Sequence, residues 1–313
     1  MYGKLEAEGK LIQNSKFRIQ NSPLPAAFSF LGIEGDVEQS GVIILPVPYE
    51  ATVSYQGGTR RGPAGIIEAS RYVELYDQEL DREPSDIGVV TLPEIHLTGA
   101  GPEQAIGELR EAYDSILDAA GERLIIMLGG EHSITSAPVL AHAKRTAARG
   151  ERLSVLQFDA HSDLRPEYEG SPYSHASVMA RCVDEVDLVA VGIRALTTNE
   201  RQLIRSRESI TTIFAEEMWR DDAWIDRAIG ALGDTVYITF DVDYFDPSLI
   251  PATGTPEPGG PAWYPTLELL RRVFTEKKVV GVDVVELAPM PGNAAPDFTI
   301  AKLVYKMVGY LGE

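Results

Sequence analysis

The chain has a single cysteine, Cys182, among 313 residues. An intramolecular disulfide is therefore excluded, which suits a reducing compartment. With no nucleophile signature around it, Cys182 reads as a small core residue. Basic residues are scarce too: 28 Lys and Arg face 47 Asp and Glu, for a net charge of −19. Such a surface repels nucleic-acid phosphates and anionic lipid, so neither nucleic acid nor a membrane is an expected partner. Simple solubility accounts for the charge, and so does attraction of metal ions or a cationic organic substrate. No apolar run approaches the ~20 residues needed to span a bilayer; the longest are short, such as Val42–Leu45 and Leu124–Leu128. The N-terminus carries no apolar core ahead of a small-residue cleavage site. The chain is expected to be soluble and cytoplasmic. A phosphate-binding loop is missing as well. The Gly-rich stretch 55–61 (YQGGTRR) has the wrong spacing for one and reads as a loop near a pocket rim.

What is present is a regular alternation. Hydrophobic residues make up 44% of the chain, enough for a sizeable core. Residues 1–38 show no periodicity and are expected to form an irregular arm. From there to the C-terminus, residues 39–313, a single catalytic domain is expected. Strands are predicted at 42–46, 87–92, 123–128, 153–158, 186–192, 209–214, 235–240 and 279–286. Helices are predicted at 64–75, 103–120, 134–148, 176–183, 200–207, 223–232, 266–276 and 294–311. Short apolar strands alternating with helices call for an α/β fold, a mainly parallel sheet covered on both faces. In such sheets ligands bind beyond the carboxyl ends of the strands.

Four segments place acids or histidines at those ends. LGGEHS (128–133) brings His132 to the sheet edge after a tight glycine turn. FDAHSD (158–163) alternates Asp159, His161 and Asp163, and alternate residues of an extended segment share a side. A bound cation relieves the cost of gathering such acids, whereas an acidic capping turn is the simpler reading. FDVD (240–243) presents Asp241 and Asp243 in the same way and feeds a Pro/Gly-rich loop, 246–260, suited to a pocket wall. VDVVEL (282–287) holds Asp283, read as structural, and Glu286, read as a binder of a cationic group or as a solvated strand-end acid.

The first three segments together offer His132, Asp159, His161, Asp163, Asp241 and Asp243. Six such ligands exceed the need of one ion and suit two divalent ions with bridging carboxylates. Imidazole and carboxylate without thiolate favour Mn²⁺ over a structural zinc. Zinc, cobalt and nickel stay open. His96 and His142 read as incidental, with His142 on a helix surface. Glu257 reads either as facing a substrate's distal amine or as a solvated loop acid.

Taken in order, GGEHS, FDAHSD, FDVDYFDP…PATGTPEPGG and VDVVEL resemble the ureohydrolases, the arginase and agmatinase family. The likeness runs from about Val42 to the C-terminus. It implies an arginase-like three-layer α/β/α fold and two Mn²⁺ per subunit. His132, Asp159, Asp163 and Asp241 would hold one ion; Asp159, His161, Asp241 and Asp243 the other. His175, in YSHAS (173–177), resembles the family's proton-shuttle histidine, and Glu286 the glutamate that receives the guanidinium. Asp163 would orient the attacking hydroxide and pass its proton on. A homotrimer or homohexamer is implied.

Within the family, arginases place an asparagine near LRPEY (164–168) and aspartates just after GIR (192–194). Here Ala195, Leu196 and Thr197 follow instead. The resemblance is thus greatest to agmatinases, which make putrescine and urea from agmatine in polyamine biosynthesis. Aminopropylagmatine and guanidinobutyrate are the alternative substrates. Rival readings are a one-metal deacetylase-like amidohydrolase, a two-metal phosphoesterase, and a non-catalytic regulatory or binding subunit that kept the fold.

Overall fold

A computed structural model describes residues 24–221 and 223–311. Residues 1–23, most of the predicted arm, lie outside the described residues. Eight strands form one sheet: β1 Val42–Val47, β2 Val89–Thr91, β3 Leu124–Gly129, β4 Leu153–Phe158, β5 Val186–Ile193, β6 Ile210–Phe214, β7 Thr235–Asp241 and β8 Lys278–Val285. All are parallel, in the order β2-β1-β3-β8-β7-β4-β5-β6. The helices are α1 Gly62–Ser70, α2 Pro102–Ala120, α3 Ser136–Ala147, α4 Thr198–Ser206, α5 Ala215–Met218, α6 Ala223–Ala231, α7 Trp263–Glu276 and α8 Ala295–Tyr310. The predicted α/β class and parallel sheet are therefore what the chain adopts.

Both faces of the sheet are covered, as parallel pairing demands. Along β1, Val42 and Ile44 point into a core shared with α1, α7 and α8. Ile43, Leu45 and Val47 point the other way, against α2 and α3. A third cluster packs β5 on α3 and the 178–183 segment. Phe30 and Leu31, in a short 3₁₀ turn before β1, join the first core. No helix among the described residues is long and apolar enough to cross a membrane.

Three local expectations need correction. The helix predicted at 176–183 is two separate 3₁₀ turns, His175–Ser177 and Met179–Arg181. The amides of Met179 and Ala180 both donate to the carbonyl of Asp163, at 3.1 and 3.2 Å, so they are withdrawn from a helical ladder. The helix predicted to reach Leu75 stops at Ser70, whose hydroxyl accepts from the Leu31 amide at 2.7 Å and ties the chain to the segment before β1. His142 is not on a surface. It is buried between Tyr113, whose hydroxyl is 3.2 Å from its Nε2, and Tyr237.

The strand order sets the stage for chemistry. β3, β8, β7 and β4 are consecutive neighbours at the centre of the sheet. Their carboxyl ends carry His132, Glu286, Asp241 with Asp243, and Asp159 with His161 and Asp163. Four segments far apart in sequence thus open onto one edge.

Candidate metal centre and pocket

Beyond β3 the chain turns at Gly130, where a Cβ would lie 1.8 Å from the Tyr49 carbonyl oxygen, so only glycine fits. The turn delivers His132 at the start of a 3₁₀ turn, fully buried. Its Nε2 lies 2.9 Å from the Thr239 hydroxyl, which itself lies 2.6 Å from Oδ1 of Asp283. Because the threonine donates to the carboxylate, Nε2–H donates to the threonine, and Nδ1 points the other way.

Nδ1 of His132 is buried and makes no hydrogen bond of its own. It faces carboxylate oxygens of Asp159 at 3.2 Å, Asp163 at 3.1 Å and Asp241 at 3.3 Å. A lone pair and three buried carboxylates converging on one point call for a positive charge between them. On the far side of Asp159, His161 Nδ1 lies 2.9 Å from Asp243. The donor atoms of His132, Asp159 and Asp163 form one group able to hold an ion; those of Asp159, His161 and Asp243 form a second. Asp159 belongs to both, as a bridging carboxylate does. The donor set is oxygen and imidazole nitrogen with no sulfur, so it fits a pair of divalent cations.

The electrostatics of these side chains say the same. Burial, together with Asp163 and Asp243 close by, pushes Asp159 up to about 7. Burial and the charges of Asp243 and Asp159 drive Asp241 well above the carboxylate range. Burial works against imidazolium at His132, yet its three carboxylates hold it well above the usual histidine range. His161 is likewise opposed by burial and raised to about 11 by Asp243 first, then Asp159 and Asp163. The site takes up positive charge wherever it can.

Neighbours hold the acids in place. Gln157 Nε2 donates to Asp159 at 2.8 Å, and the Ala160 amide to Asp243 at 3.0 Å. Buried Glu200 accepts from the Ser162 hydroxyl at 2.7 Å and the Leu164 amide at 3.1 Å, bracketing Asp163. Asp163 itself sits at φ 52°, and Glu286 at φ 66°. Left-handed backbone at two non-glycine residues is strain kept by its surroundings, and it falls on both acids that flank the centre. Arg194 donates to five backbone carbonyls, those of Gly192, Asp243, Tyr244, Phe245 and Glu257. It fastens the Asp243 segment to the loop of Glu257.

The centre opens into a cavity of about 260 Å³ whose wall includes Glu286, His175, Tyr168, Glu257 and Leu196. Glu286 leaves the end of β8 and accepts from the His132 amide at 2.6 Å through Oε1. Burial chiefly, offset by that amide and helped by the Glu131 charge, raises it to about 8. His175 lies across the cavity, its ring edge-on to Tyr168. Of the eight residues singled out from the sequence, seven line this cavity, and Asp159 is buried behind them, 3.2 Å from His132 Nδ1. His96 is exposed outside it. Sequence reasoning passed over Thr52, Glu131, Gln157, Glu200 and Thr239. The signals the sequence offers for two of them are that Glu131 lies within GGEHS and that Thr239 lies two residues before Asp241 on the same strand face.

Comparison with known proteins agrees with this geometry. Residues 40–309 match the family model described as "Arginase family". The chain is 39% identical over 279 residues to the N(1)-aminopropylagmatine ureohydrolase of Synechocystis sp., covering 88% of this chain and 90% of that protein. It is 40% identical over 276 residues to a protein of the same name from Thermus thermophilus, covering 88% and 92%. Among solved structures, the agmatine ureohydrolase of Thermoplasma volcanium superposes with a TM-score of 0.79 at 26% identity, covering 93% of this chain and 94% of that one. The parallel sheet, the shared aspartate between two ion-holding groups and these matches make the chain a member of the arginase family.

Proposed function

We propose that the chain hydrolyses the guanidino group of a linear, cationic guanidino amine to urea and the free amine, with N1-aminopropylagmatine as the preferred substrate and agmatine as the second. The observation that carries the reading is the pair of ion-holding groups sharing Asp159, open to a cavity that Glu286 also borders. The longer substrate is favoured by the Synechocystis and Thermus relatives; agmatine is favoured by the likeness to the Thermoplasma volcanium agmatine ureohydrolase. The lack of aspartates for an α-amino group after Gly192-Ile193-Arg194, where Ala195, Leu196 and Thr197 stand, argues against arginine.

His132, Asp159, Asp163 and Asp241 would hold one Mn²⁺, and Asp159, His161, Asp241 and Asp243 the other. The chemistry that a metal pair supplies here is Lewis acidity, which lowers the pKa of water toward neutrality and makes it a nucleophile. Glu286 receives the guanidinium through its free Oε2, a charge-assisted contact that fixes the plane of the guanidino group against the centre. Asp163, strained and beside the centre, orients the attacking water and takes its proton. Attack at the guanidino carbon and cleavage of its bond to the alkyl nitrogen leave that nitrogen in need of a proton. Asp163 returns one, and His175 exchanges the remaining proton with solvent at Nε2. Glu257, at the mouth, matches the positive charge of the distal amine.

The test is urea release by Mn²⁺-loaded protein from aminopropylagmatine, agmatine, guanidinobutyrate and arginine. The highest kcat/KM is expected with aminopropylagmatine. Activity confined to guanidinobutyrate or arginine would overturn the substrate class, and no urea from any of the four would overturn the reaction.

A further inference from the structure

Glu131 stands in the GGEHS segment beside His132 but faces away from the metal centre, and the mechanism above does not use it. It is wholly buried. Its carboxylate is met by four donors: the amides of Ala51 and Thr52, each at 2.6 Å, the Thr52 hydroxyl at 2.9 Å and the Ser133 hydroxyl at 2.6 Å. The two amides can only donate, so Oε2 accepts twice. Oε1 lies between two hydroxyls, which both reach it as donors. A buried acid so fully supplied with donors is built as a carboxylate.

The Thr52 hydroxyl has one proton, and Glu131 takes it. Its lone pairs therefore face His175, whose backbone amide lies 3.0 Å away and whose Nδ1 lies 3.2 Å away. Both must come as donors. Neutral His175 is thus held with its proton on Nδ1 and its lone pair on Nε2. Nε2 lies 3.3 Å from the Ser54 hydroxyl and faces the cavity. Tyr168 fixes the ring from the side, at 5.9 Å between centroids.

We infer that Glu131 and Thr52 are positioning residues for proton transfer: the buried Glu131 carboxylate, relayed through the Thr52 hydroxyl, sets the tautomer and orientation of His175 so that Nε2 is the basic atom presented to the substrate. No covalent step is added. When Nε2 accepts a proton, the imidazolium keeps its Nδ1–H bond to Thr52, and the charge is stabilised by the chain that ends on Glu131. Without the relay the ring is free to turn and to carry its proton on either nitrogen, and only some of its states are competent. The inference rests on the proton-transfer reading of His175.

The experiment is a double-mutant cycle on Mn²⁺-loaded protein with the best guanidino substrate, measuring kcat and KM separately, with metal content and melting temperature checked for each variant. Thr52→Val keeps the shape and removes the hydroxyl. It is expected to lower kcat about tenfold with little change in KM, a loss confined to the proton-transfer steps. Thr52→Ser restores the hydroxyl and is expected to recover most of kcat. In a His175→Ala background, Thr52→Val should have no further effect, since the threonine acts through the histidine. Should Thr52→Val not fold, Thr52→Ala takes its place in the cycle. Unchanged kcat in the threonine variant, while His175→Ala is impaired, overturns the inference alone. An equal loss in the His175→Ala background also overturns it, because the effect would then not pass through His175. Normal turnover by His175→Ala removes the proton-transfer reading itself and the inference with it.

Discussion

The Thr239 hydroxyl stands 2.9 Å from Nε2 of His132, on the side of the ring away from the three aspartates. Asp283 completes the chain at 2.6 Å. A metal-facing histidine whose second nitrogen is tied through a hydroxyl to a buried acid has a fixed tautomer and a more basic ligand nitrogen. Thr239→Val is expected to weaken metal binding on the order of 10–100-fold and to leave the fold intact. Metal titration followed by calorimetry, alongside circular dichroism, measures both; unchanged affinity would show that the Asp283 chain is only a packing device.

Asp163 and His161 belong to different ion-holding groups, joined by Asp159. Asp163→Asn and His161→Ala should each abolish urea release with the far-ultraviolet spectrum unchanged. Each variant should also bind less than the full complement of metal. A variant near normal turnover contradicts the assignment of that residue.

Glu286 gives Oε1 to the His132 amide and keeps Oε2 for the pocket. Glu286→Gln retains an acceptor for the amide but removes the charge that meets a guanidinium. The loss of a charge-assisted bond, roughly 1.5–3 kcal/mol, corresponds to a fall in kcat/KM of about ten- to a hundredfold. Metal content should stay normal. Loss of metal instead of activity per metal would place Glu286 with the ligands.

His142 supplies a pH test remote from the centre. Burial first, and then Arg145 and Arg149, holds its imidazole down at about 3, against an ordinary value of 6.5. Between these two values the unfolded chain carries a proton that the folded chain refuses. Stability is therefore complete above about pH 6.5 and is lost as the pH falls toward 3, by on the order of 4 kcal/mol. Urea unfolding at about pH 7.5 and about pH 4.5, on either side of the ordinary histidine value, should show a smaller acid-induced loss for His142→Gln than for the parent chain. Equal losses would mean that the ring gains a proton without unfolding.

Much of this was open to reading from the chain. β4 and β7 are short apolar runs that feed directly into acids and a histidine, so Asp159, His161, Asp163, Asp241 and Asp243 announce themselves by local alternation. The parallel sheet follows from the same pattern. What escaped prediction depends on contacts between distant segments. The link between Thr52 and His175 crosses 123 residues. The burial of His142 depends on Tyr113 from another helix and Tyr237 from a strand. The helix expected at 176–183 has adequate local propensity, but the Asp163 carbonyl claims two of its amides. The same bonds that dissolve the helix help keep Asp163 in its left-handed conformation.

Among the described residues, the hydrogen bonds of Arg194 all go to carbonyl groups, which every residue type possesses. Exchanging a side chain such as Glu257 therefore leaves every one of those attachments in place. On the proposed reading, in which Glu257 meets the distal amine of the substrate, substrate preference can drift at this position while the aspartates behind it keep their places. The proposed recognition and reaction segments are thus joined by a single guanidinium, that of Arg194, which bonds the Glu257 and Asp243 carbonyls.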